Sequence, residues 1–348
     1  MHWSISKKYY RKPKPILMKP YLPNCLYKAG LTLLCVAFLQ NNVSSQHLVL
    51  GGEKLKVEVG VNFGPSFFLG DLGGNYGRGT RFLKDLNLEE TKLMKGAFIS
   101  VYPADWIGLR VAAQITYLSG NDLNINTSGE HETYRKERNL DFKTNVWEAY
   151  AALEVFPLMM FNKCDDYDPR LKPYGIIGVG LFNFNPKGSL TSTNGTKTWY
   201  ELHPLRTEGQ GMTEYPSKKP YNLTQINIPM GVGIKYELSE RVNIGTEFLY
   251  RKTFTDYIDD VSTTYINPIY FDNYLSNQDA ALARQLHDKT NSLTIPANRT
   301  RPGEQRGNSR NMDAYFSTVL KVGVRLGAVY NSSEARNAAR QTRCPNFY

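Results

Sequence analysis

Two segments of this chain alternate apolar and polar residues, and this period of two restricts both of them to β-strands. One face of segment 107–118 is formed by Ile107, Leu109, Val111, Ala113, Ile115 and Tyr117. The matching face of segment 224–238 is formed by Thr224, Ile226, Ile228, Met230, Val232, Ile234, Tyr236 and Leu238. Because successive side chains of a strand point to opposite faces, each segment separates an apolar environment from a polar one.

Six further segments carry the same pattern more weakly, which brings the predicted strands to an even number, eight. They are Val57–Leu69, Lys95–Tyr102, Lys143–Phe156, Pro173–Phe184, Arg241–Thr253 and Ala314–Tyr330. Each is about as long as the roughly 9–11 tilted residues with which a strand crosses the hydrocarbon core of a membrane. No stretch approaches the ~18 unbroken apolar residues of a spanning helix. A membrane protein without such helices must be a closed barrel.

The lengths of the connections form a second, independent pattern. Strands two and three are joined by residues 103–106, six and seven by Ser239-Glu240, and four and five by a medium turn over 157–172. The other four links are long: 70–94, 119–142, 185–223 and 254–313. Short periplasmic turns alternating with long outer loops are typical of outer-membrane barrels. The alternative is a soluble β-sandwich or a lipocalin-like barrel, in which the apolar face points inward.

The fold class predicted from both patterns is all-β: an eight-stranded antiparallel transmembrane β-barrel with long extracellular loops. Segment Ser276–Lys289 predicts a short helix in the last loop, with Ser276 as its cap. Both chain termini then lie on the periplasmic side. The predicted location is the cell outer membrane, with outer-membrane lipid around the barrel.

The first 45 residues have the pattern of an export signal. Lys19 and Lys28 precede an apolar run over residues 29–39, and small residues stand before a predicted cleavage site after Ser45. Met18 is an alternative start, which would make the preceding residues an upstream extension. The predicted organisation is therefore an extension and signal peptide over 1–45, a barrel over 46–331 and a periplasmic tail over 332–348.

The basic balance of the chain is largely a property of this signal. The net charge is +10, but residues 1–45 contain seven Lys or Arg and no acid, so the remainder carries only +3. No basic helix with interleaved aromatic residues is present, and nucleic acid is excluded as a partner.

The polar strand faces predict a network of charges inside the barrel. Its predicted members are Arg110, Glu148, Glu154, Lys235, Glu247, Arg251, Lys321 and Arg325. An eight-stranded barrel has an interior that side chains just fill, and an unpaired buried charge is costly. We interpret the network as a structural plug of ion pairs; a proton or ion path is the alternative. An open diffusion pore is not expected.

Signals of catalysis or of metal binding are weak in this sequence. None of the four histidines that follow the signal lies in a predicted strand, and Ser276 and His287 merely share the last loop. We expect no enzyme activity and no cofactor. Asp256, Asp259 and Asp260 are weak candidates for a hard cation such as Ca²⁺, although capping of loop turns is the favoured interpretation.

Three segments resemble a family of Bacteroidota outer-membrane β-barrels that includes PorG of the type IX secretion system. The most specific is Arg251–Tyr265, which contains Asp-Tyr-Ile-Asp-Asp-Val-Ser; Phe68–Gly74 and Arg343-Cys344-Pro345 fit the family too. The resemblance implies a non-enzymatic envelope scaffold, either a component of the protein secretion machinery or a paralogue of one. The implied partners are periplasmic ring proteins. The alternatives are a lipid-modifying barrel enzyme and a surface-binding protein that uses its outer loops.

Two cysteines, Cys164 and Cys344, remain after removal of the signal. The predicted topology places both on the periplasmic side, where disulfides form. We therefore predict a Cys164–Cys344 disulfide that ties the tail to the base of the barrel. Pairing with a cysteine of a partner protein is the alternative.

Overall fold

The structure is a computed structural model that describes residues 49–50, 53–72, 91–124, 130–161, 169–192, 194–290 and 300–326. The predicted signal peptide, the tail over 332–348 and both cysteines of the predicted disulfide lie outside the described residues. Those expectations stay predictions.

Eight long strands form a closed antiparallel barrel. They are β1 Lys56–Leu69, β2 Lys92–Ala104, β3 Ile107–Asn121, β4 Asp141–Val155, β5 Leu171–Asn183, β6 Thr224–Glu237, β7 Val242–Thr253 and β8 Ala314–Leu326. Each strand pairs with its neighbours in the sequence, and β8 pairs with β1 to close the ring. The predicted fold class is confirmed, and the observed strand bounds differ from the predicted ones only at the ends.

Exposure alternates along the barrel strands, as a period of two requires. In β3, Leu109 and Val111 are 49% and 57% exposed, whereas the intervening Arg110 is completely buried. The apolar residues therefore face outward and the charged residues face the lumen. This is the reverse of a soluble barrel, in which apolar residues fill the interior. Among the described residues, no helix is long and apolar enough to cross a bilayer.

The short connections all lie at one end of the barrel. Asp105-Trp106 joins β2 to β3, and residues 238–241 join β6 to β7. The longer turn after β4 begins with the one-turn helix α2, Pro157–Met160. A two-stranded hairpin, Val49–Leu50 with Glu53–Lys54, precedes β1. Membrane barrels place such turns in the periplasm, so the long loops at the opposite end are extracellular.

The long loops contain most of the remaining regular structure. Helix α1 spans Glu130–Arg138 and lies between β3 and β4. A β-hairpin of Lys187–Thr191 with Lys197–Glu201 extends the sheet beyond β4. The last loop contains α3, Phe271–Tyr274, and α4, Asn277–His287. Single 3₁₀ turns occur at Asp122–Asn124, His203–Leu205 and Pro268–Tyr270.

Helix α4 confirms the short helix predicted in the last loop. The hydroxyl of Ser276 accepts a hydrogen bond from the backbone N–H of Asp279 at 3.2 Å, which is the expected N-cap. Ala280, Ala283 and Leu286 are buried on its inner face. They pack with Leu202, Leu205 and Phe271 in a small apolar core formed entirely by loops. The extracellular loops thus fold into a cap with its own core.

Candidate functional site

Arg110 lies at the centre of the lumen, where charges from four strands meet. Its guanidinium pairs with Glu154 and with Glu247, the latter at 2.6 Å. The Nζ atom of Lys321 lies 3.3 Å from the same Glu247 oxygen, to which the hydroxyl of Tyr174 donates a hydrogen bond at 2.7 Å. All five side chains are buried. Two cations therefore balance two carboxylates without contact with bulk water.

A second set of charges is joined to the first through Tyr102. Lys235 pairs with Glu58 at 3.0 Å and donates to the hydroxyl of Tyr102 at 2.6 Å. Tyr102 in turn donates to Glu154 at 2.8 Å, which joins this set to Arg110. The ammonium of Lys235 also lies 4.4 Å from the centre of the Tyr102 ring, a cation–π contact.

Further ion pairs lie toward each end of the barrel. At the periplasmic end, Glu237 pairs with Lys172 at 2.8 Å and with Arg325. Toward the outer end, Glu148 pairs with Arg251 at 3.3 Å. The cavity beside Lys172 and Arg325 has a volume of only ≈ 20 Å³. This is space for about one water molecule, so side chains fill the lumen at this end.

An apolar layer closes the outer end of the lumen, above Arg251. Its buried members include Leu72, Met94, Leu118, Phe142, Phe182, Phe184, Tyr315 and Val319. The rings of Phe182 and Phe184 stack at 5.5 Å. Ile258 and Val261 from the last loop pack into the same cluster. This core therefore joins the cap to the barrel, beside the separate core within the cap, and the cap covers the mouth.

The structure places all eight sequence-predicted lumen charges inside the barrel and in ion pairs. Glu58, Lys172 and Glu237 are partners that the predicted network did not include. A signal for Glu58 was present: it continues the small and polar face formed by Gly60, Asn62, Gly64 and Ser66. Which charges pair with each other could not be predicted from the sequence, because the pairs depend on the stagger of the strands around the barrel.

Two of the three aspartates considered as cation ligands are directed to different partners. Asp259 accepts backbone N–H groups of Leu72 and Val261, both at 3.0 Å. Asp260 accepts from the hydroxyls of Tyr221, at 2.7 Å, and Thr207. Among the described residues, no group of three or more His, Cys, Asp or Glu is arranged to hold a metal ion. Asp259 and Asp260 thus fix loop backbones and side chains.

Several carboxyl groups crowd together under the cap. Burial, together with the nearby Asp71 and Asp259, raises the pKa of Asp256 to about 9. Burial also raises the pKa of Asp71, Asp259 and Asp313. Asp256 is 5% exposed. Placing several negative charges in so small a buried volume is costly, so protonation of some of these groups is favoured.

Two arginines hold the loops of the cap together. The guanidinium of Arg138, in α1, forms a bidentate ion pair with Asp122. Its Nε and Nη2 atoms donate to the two carboxylate oxygens at 2.8 and 2.9 Å. The same guanidinium donates to the carbonyls of Asp71, at 2.8 Å, and Arg306, at 2.6 Å. Arg306 pairs with Glu208 at 3.0 Å. Separate loop segments are therefore joined by buried, charge-assisted hydrogen bonds.

Ser276 and His287, which share the last loop, are not brought together. They lie at opposite ends of α4, and Ser276 caps the helix. The Nδ1 atom of His287 lies 2.6 Å from the carbonyl of Thr207, and the ring packs edge-on against Tyr265 and Phe271. Burial, with help from Arg306, lowers the pKa of His287 to about 4. This histidine is a neutral packing element of the cap.

These features together define a class of protein. Strands that alternate apolar-out and polar-in, a closed even-stranded ring and loops that are long at one end only are the properties of an outer-membrane β-barrel. The chain is such a barrel, with a filled lumen and a folded cap, and its place is the bacterial outer membrane.

Comparisons with known proteins return barrels of this class. No protein-family model and no curated protein sequence matches the chain. It is similar to a major outer membrane protein from Thermus thermophilus (TM-score 0.33, 11% identity, 79% of this chain and 100% of the other). It is also similar to Ail, the attachment invasion locus protein of Yersinia pestis (TM-score 0.31, 10% identity, 78% and 99%). A third is Neisserial surface protein A (TM-score 0.30, 11% identity, 78% and 97%).

Proposed function

We propose that this protein is a non-enzymatic anchor of the outer membrane and neither a diffusion pore nor an enzyme. The observation that carries the proposal is the filled lumen. Ion pairs occupy it from Glu237 at the periplasmic end to Glu148 near the outer end, and the apolar layer and cap lie above. A solute would have to displace charges that are already paired, which is costly in a buried site.

The resemblance of Arg251–Tyr265 supports a narrower form of the proposal. In that form the protein is a component, or a paralogue of a component, of the type IX protein secretion machinery. Residues of the segment have definite positions: Arg251 pairs with Glu148 in the lumen, and Asp259 and Tyr265 are buried in the cap. The resemblance therefore involves residues that build the junction between barrel and cap.

Partners of an anchor of this kind would be periplasmic ring proteins, and the periplasmic end offers a surface for them. Helix α2 and the following residue present apolar side chains to solvent: Leu158, Met160 and Phe161 are 47%, 53% and 76% exposed. Apolar residues exposed together are typical of contact sites. Strand β8 ends at Leu326 on the same side, and we expect the predicted tail, 332–348, to follow it there.

Co-purification from outer membranes tests the anchor role. We expect the full chain to retain periplasmic partners that mass spectrometry identifies, and the double variant Leu158→Ser with Phe161→Ser to lose them. Deletion of 332–348 should loosen the same complex while the barrel still assembles. The matched control is Ile269→Ser, an equally apolar and exposed residue of the outer loops. Equal recovery of partners by all variants would contradict the scaffold.

Planar-bilayer recording tests the closed lumen directly. We expect the purified chain to give no stable conductance steps, because the charges of the lumen are paired and buried. Reproducible steps from the wild-type protein would identify a pore and remove the anchor interpretation.

A further inference from the structure

An open cleft of ≈ 580 Å³ lies in the outer face of the cap. Three loops form it: the start of the first loop at Gly70 and Asp71, helix α1 at Tyr134 and Arg135, and residues 305–310 of the last loop. Its volume falls in the range of about 300–1,000 Å³ that is usual for small-molecule sites. The cleft is separate from the lumen, because the apolar layer lies between them.

The walls of the cleft are held together by hydrogen bonds between its loops. Arg138 donates to the carbonyls of Asp71 and Arg306, which belong to opposite walls. The hydroxyl of Tyr134 donates to the carbonyl of Gln305 at 2.6 Å, and the guanidinium of Arg135 reaches the carbonyl of Asp71 at 3.1 Å. A site held in this way binds without first ordering its loops, which lowers the cost of binding.

The lining has more cationic than anionic side chains. Four arginines line the cleft, against one carboxylate, Asp71, among the described residues. Burial raises the pKa of Asp71, which favours its neutral form. Arg138 and Arg306 are balanced by Asp122 and Glu208. Arg310 is exposed, and no carboxylate of the described residues pairs with it. An anion would therefore meet an uncompensated guanidinium at the rim.

The rest of the lining is rich in hydroxyl and amide groups. They belong to Thr263, Thr264, Ser309, Gln305 and Asn308. Thr263, Thr264, Gln305 and Asn308 already have partners within the protein, in Glu208, Lys218, Gly307 and Arg310. Their remaining lone pairs and N–H groups, with the hydroxyl of Ser309, can exchange hydrogen bonds with the hydroxyls of a sugar. Guanidinium groups bind phosphate with paired, charge-assisted hydrogen bonds.

We propose that this cleft binds a phosphorylated sugar, with the phosphate at Arg310 and the sugar ring among the hydroxyl and amide groups. The sugar has two sources at an outer-membrane surface. It is either the headgroup of a glycolipid in the same leaflet or a free sugar phosphate from outside. The chemistry recognised is the same for both.

Calorimetric titration of the full chain in neutral detergent tests the proposal with a matched pair of probes. N-acetylglucosamine 1-phosphate should bind, and N-acetylglucosamine, which differs only by the phosphate, should not. Arg310→Ala should weaken binding of the phosphorylated probe by about tenfold or more, since it removes charge-assisted hydrogen bonds to the phosphate. Binding of the phosphorylated probe should also weaken as salt is added.

The control variant is Arg301→Ala, which removes the same charge from the same loop at an exposed residue outside the cleft. It should bind like the wild type. Provided that both variants fold normally, equal affinity of wild type and Arg310→Ala, or equal binding of both probes, would overturn the proposal.

The source is distinguished by mass spectrometry of lipid retained through purification. If a phosphorylated glycolipid co-purifies with the wild type but not with Arg310→Ala, the ligand is the headgroup of a membrane lipid. Binding of the free probe without such retention identifies the soluble source. Either result supports the site, and neither depends on the periplasmic partners of the anchor.

Discussion

The fold buries several aspartates of the cap, although an ionisable carboxyl group is costly to remove from water. Asp256, Asp259 and Asp313 are each at most 5% exposed. Asp259 and Asp313 accept backbone N–H groups, whereas neither oxygen of Asp256 has a hydrogen-bond partner within the described residues. An unsatisfied buried acceptor costs about 1–3 kcal/mol. Asp256 is therefore a weak point of the cap, and its cost depends on pH.

The sign of this dependence follows from the raised pKa of Asp256. The group has a pKa of about 9 in the folded protein, against about 3.9 in an unfolded chain. The folded state therefore binds more protons between these values, and its stability falls as the pH rises through them. The stabilisation of the fold by protonated Asp256 is complete in acid and is lost by about pH 9.

Asp256→Asn should remove that dependence. Because asparagine does not ionise, we expect the free energy of unfolding of the variant, relative to the wild type, to rise by up to about 1.4 kcal/mol per pH unit as the pH rises toward about 8, and the difference to shrink in acid. Free energies of unfolding in detergent micelles across this pH range provide the measurement. Asp272→Asn, at an exposed residue paired with Arg284, is the control and should change little. Parallel pH profiles for wild type and Asp256→Asn would contradict the assignment.

At the scale of elements, the ion pairs of the lumen act as cross-links between strands. Arg110 of β3 pairs with Glu154 of β4 and with Glu247 of β7, on the far side of the barrel. The backbone ladder joins only adjacent strands, so this contact adds a link across the ring. Removing one partner of a buried pair leaves the other without compensation.

Arg110→Met should therefore destabilise the barrel by about 3–5 kcal/mol. The double variant with Glu247→Gln should recover part of this loss, because the uncompensated charge is then removed. Unfolding free energies of the two single variants and the double variant give the coupling energy of the pair. The pair would be shown to contribute little if the two single effects simply add.

The strands could be predicted from the sequence because their cause is local. Alternation in segments such as 224–238 reflects which side of one strand meets lipid, and no distant residue is needed to see it. Contacts such as Arg110 with Glu247 depend on strand stagger and on closure of the ring, which no local pattern records. Of the cap, the sequence predicted only long loops and a short helix in the last of them. The frame of the cap, in which Arg138 reaches the carbonyls of Asp71 and Arg306, arises from segments far apart in the chain.

At the scale of the whole molecule, the outer surface is an apolar belt. Val111, Ile177, Val179 and Val232 are each more than half exposed. In water such a surface would drive association, whereas in a membrane it is the surface that lipid contacts. The belt is continuous because the ring has no free edge.

Ile177→Lys tests whether this belt contacts hydrocarbon. Ile177 is 55% exposed on the outer face of β5, where a lysine near the midplane should cost about 2–4 kcal/mol. Unfolding free energies in lipid vesicles would measure the loss. Thr196→Lys, at an exposed residue of the outer hairpin turn, should cost little by comparison. Equal stability of both variants would mean that lipid does not cover Ile177.

The pairing of β8 with β1 has a consequence for how the molecule is made. The ladder that joins Phe63 to Leu320 connects the first strand of the ring to the last. No membrane-inserted form can hide all its strand edges until the final strand has been delivered, and an open edge in hydrocarbon is costly. Assembly is therefore all-or-none. A chain truncated before Ala314 would lack the final strand and leave β1 and β7 each with an unpaired edge, so we expect it to be degraded.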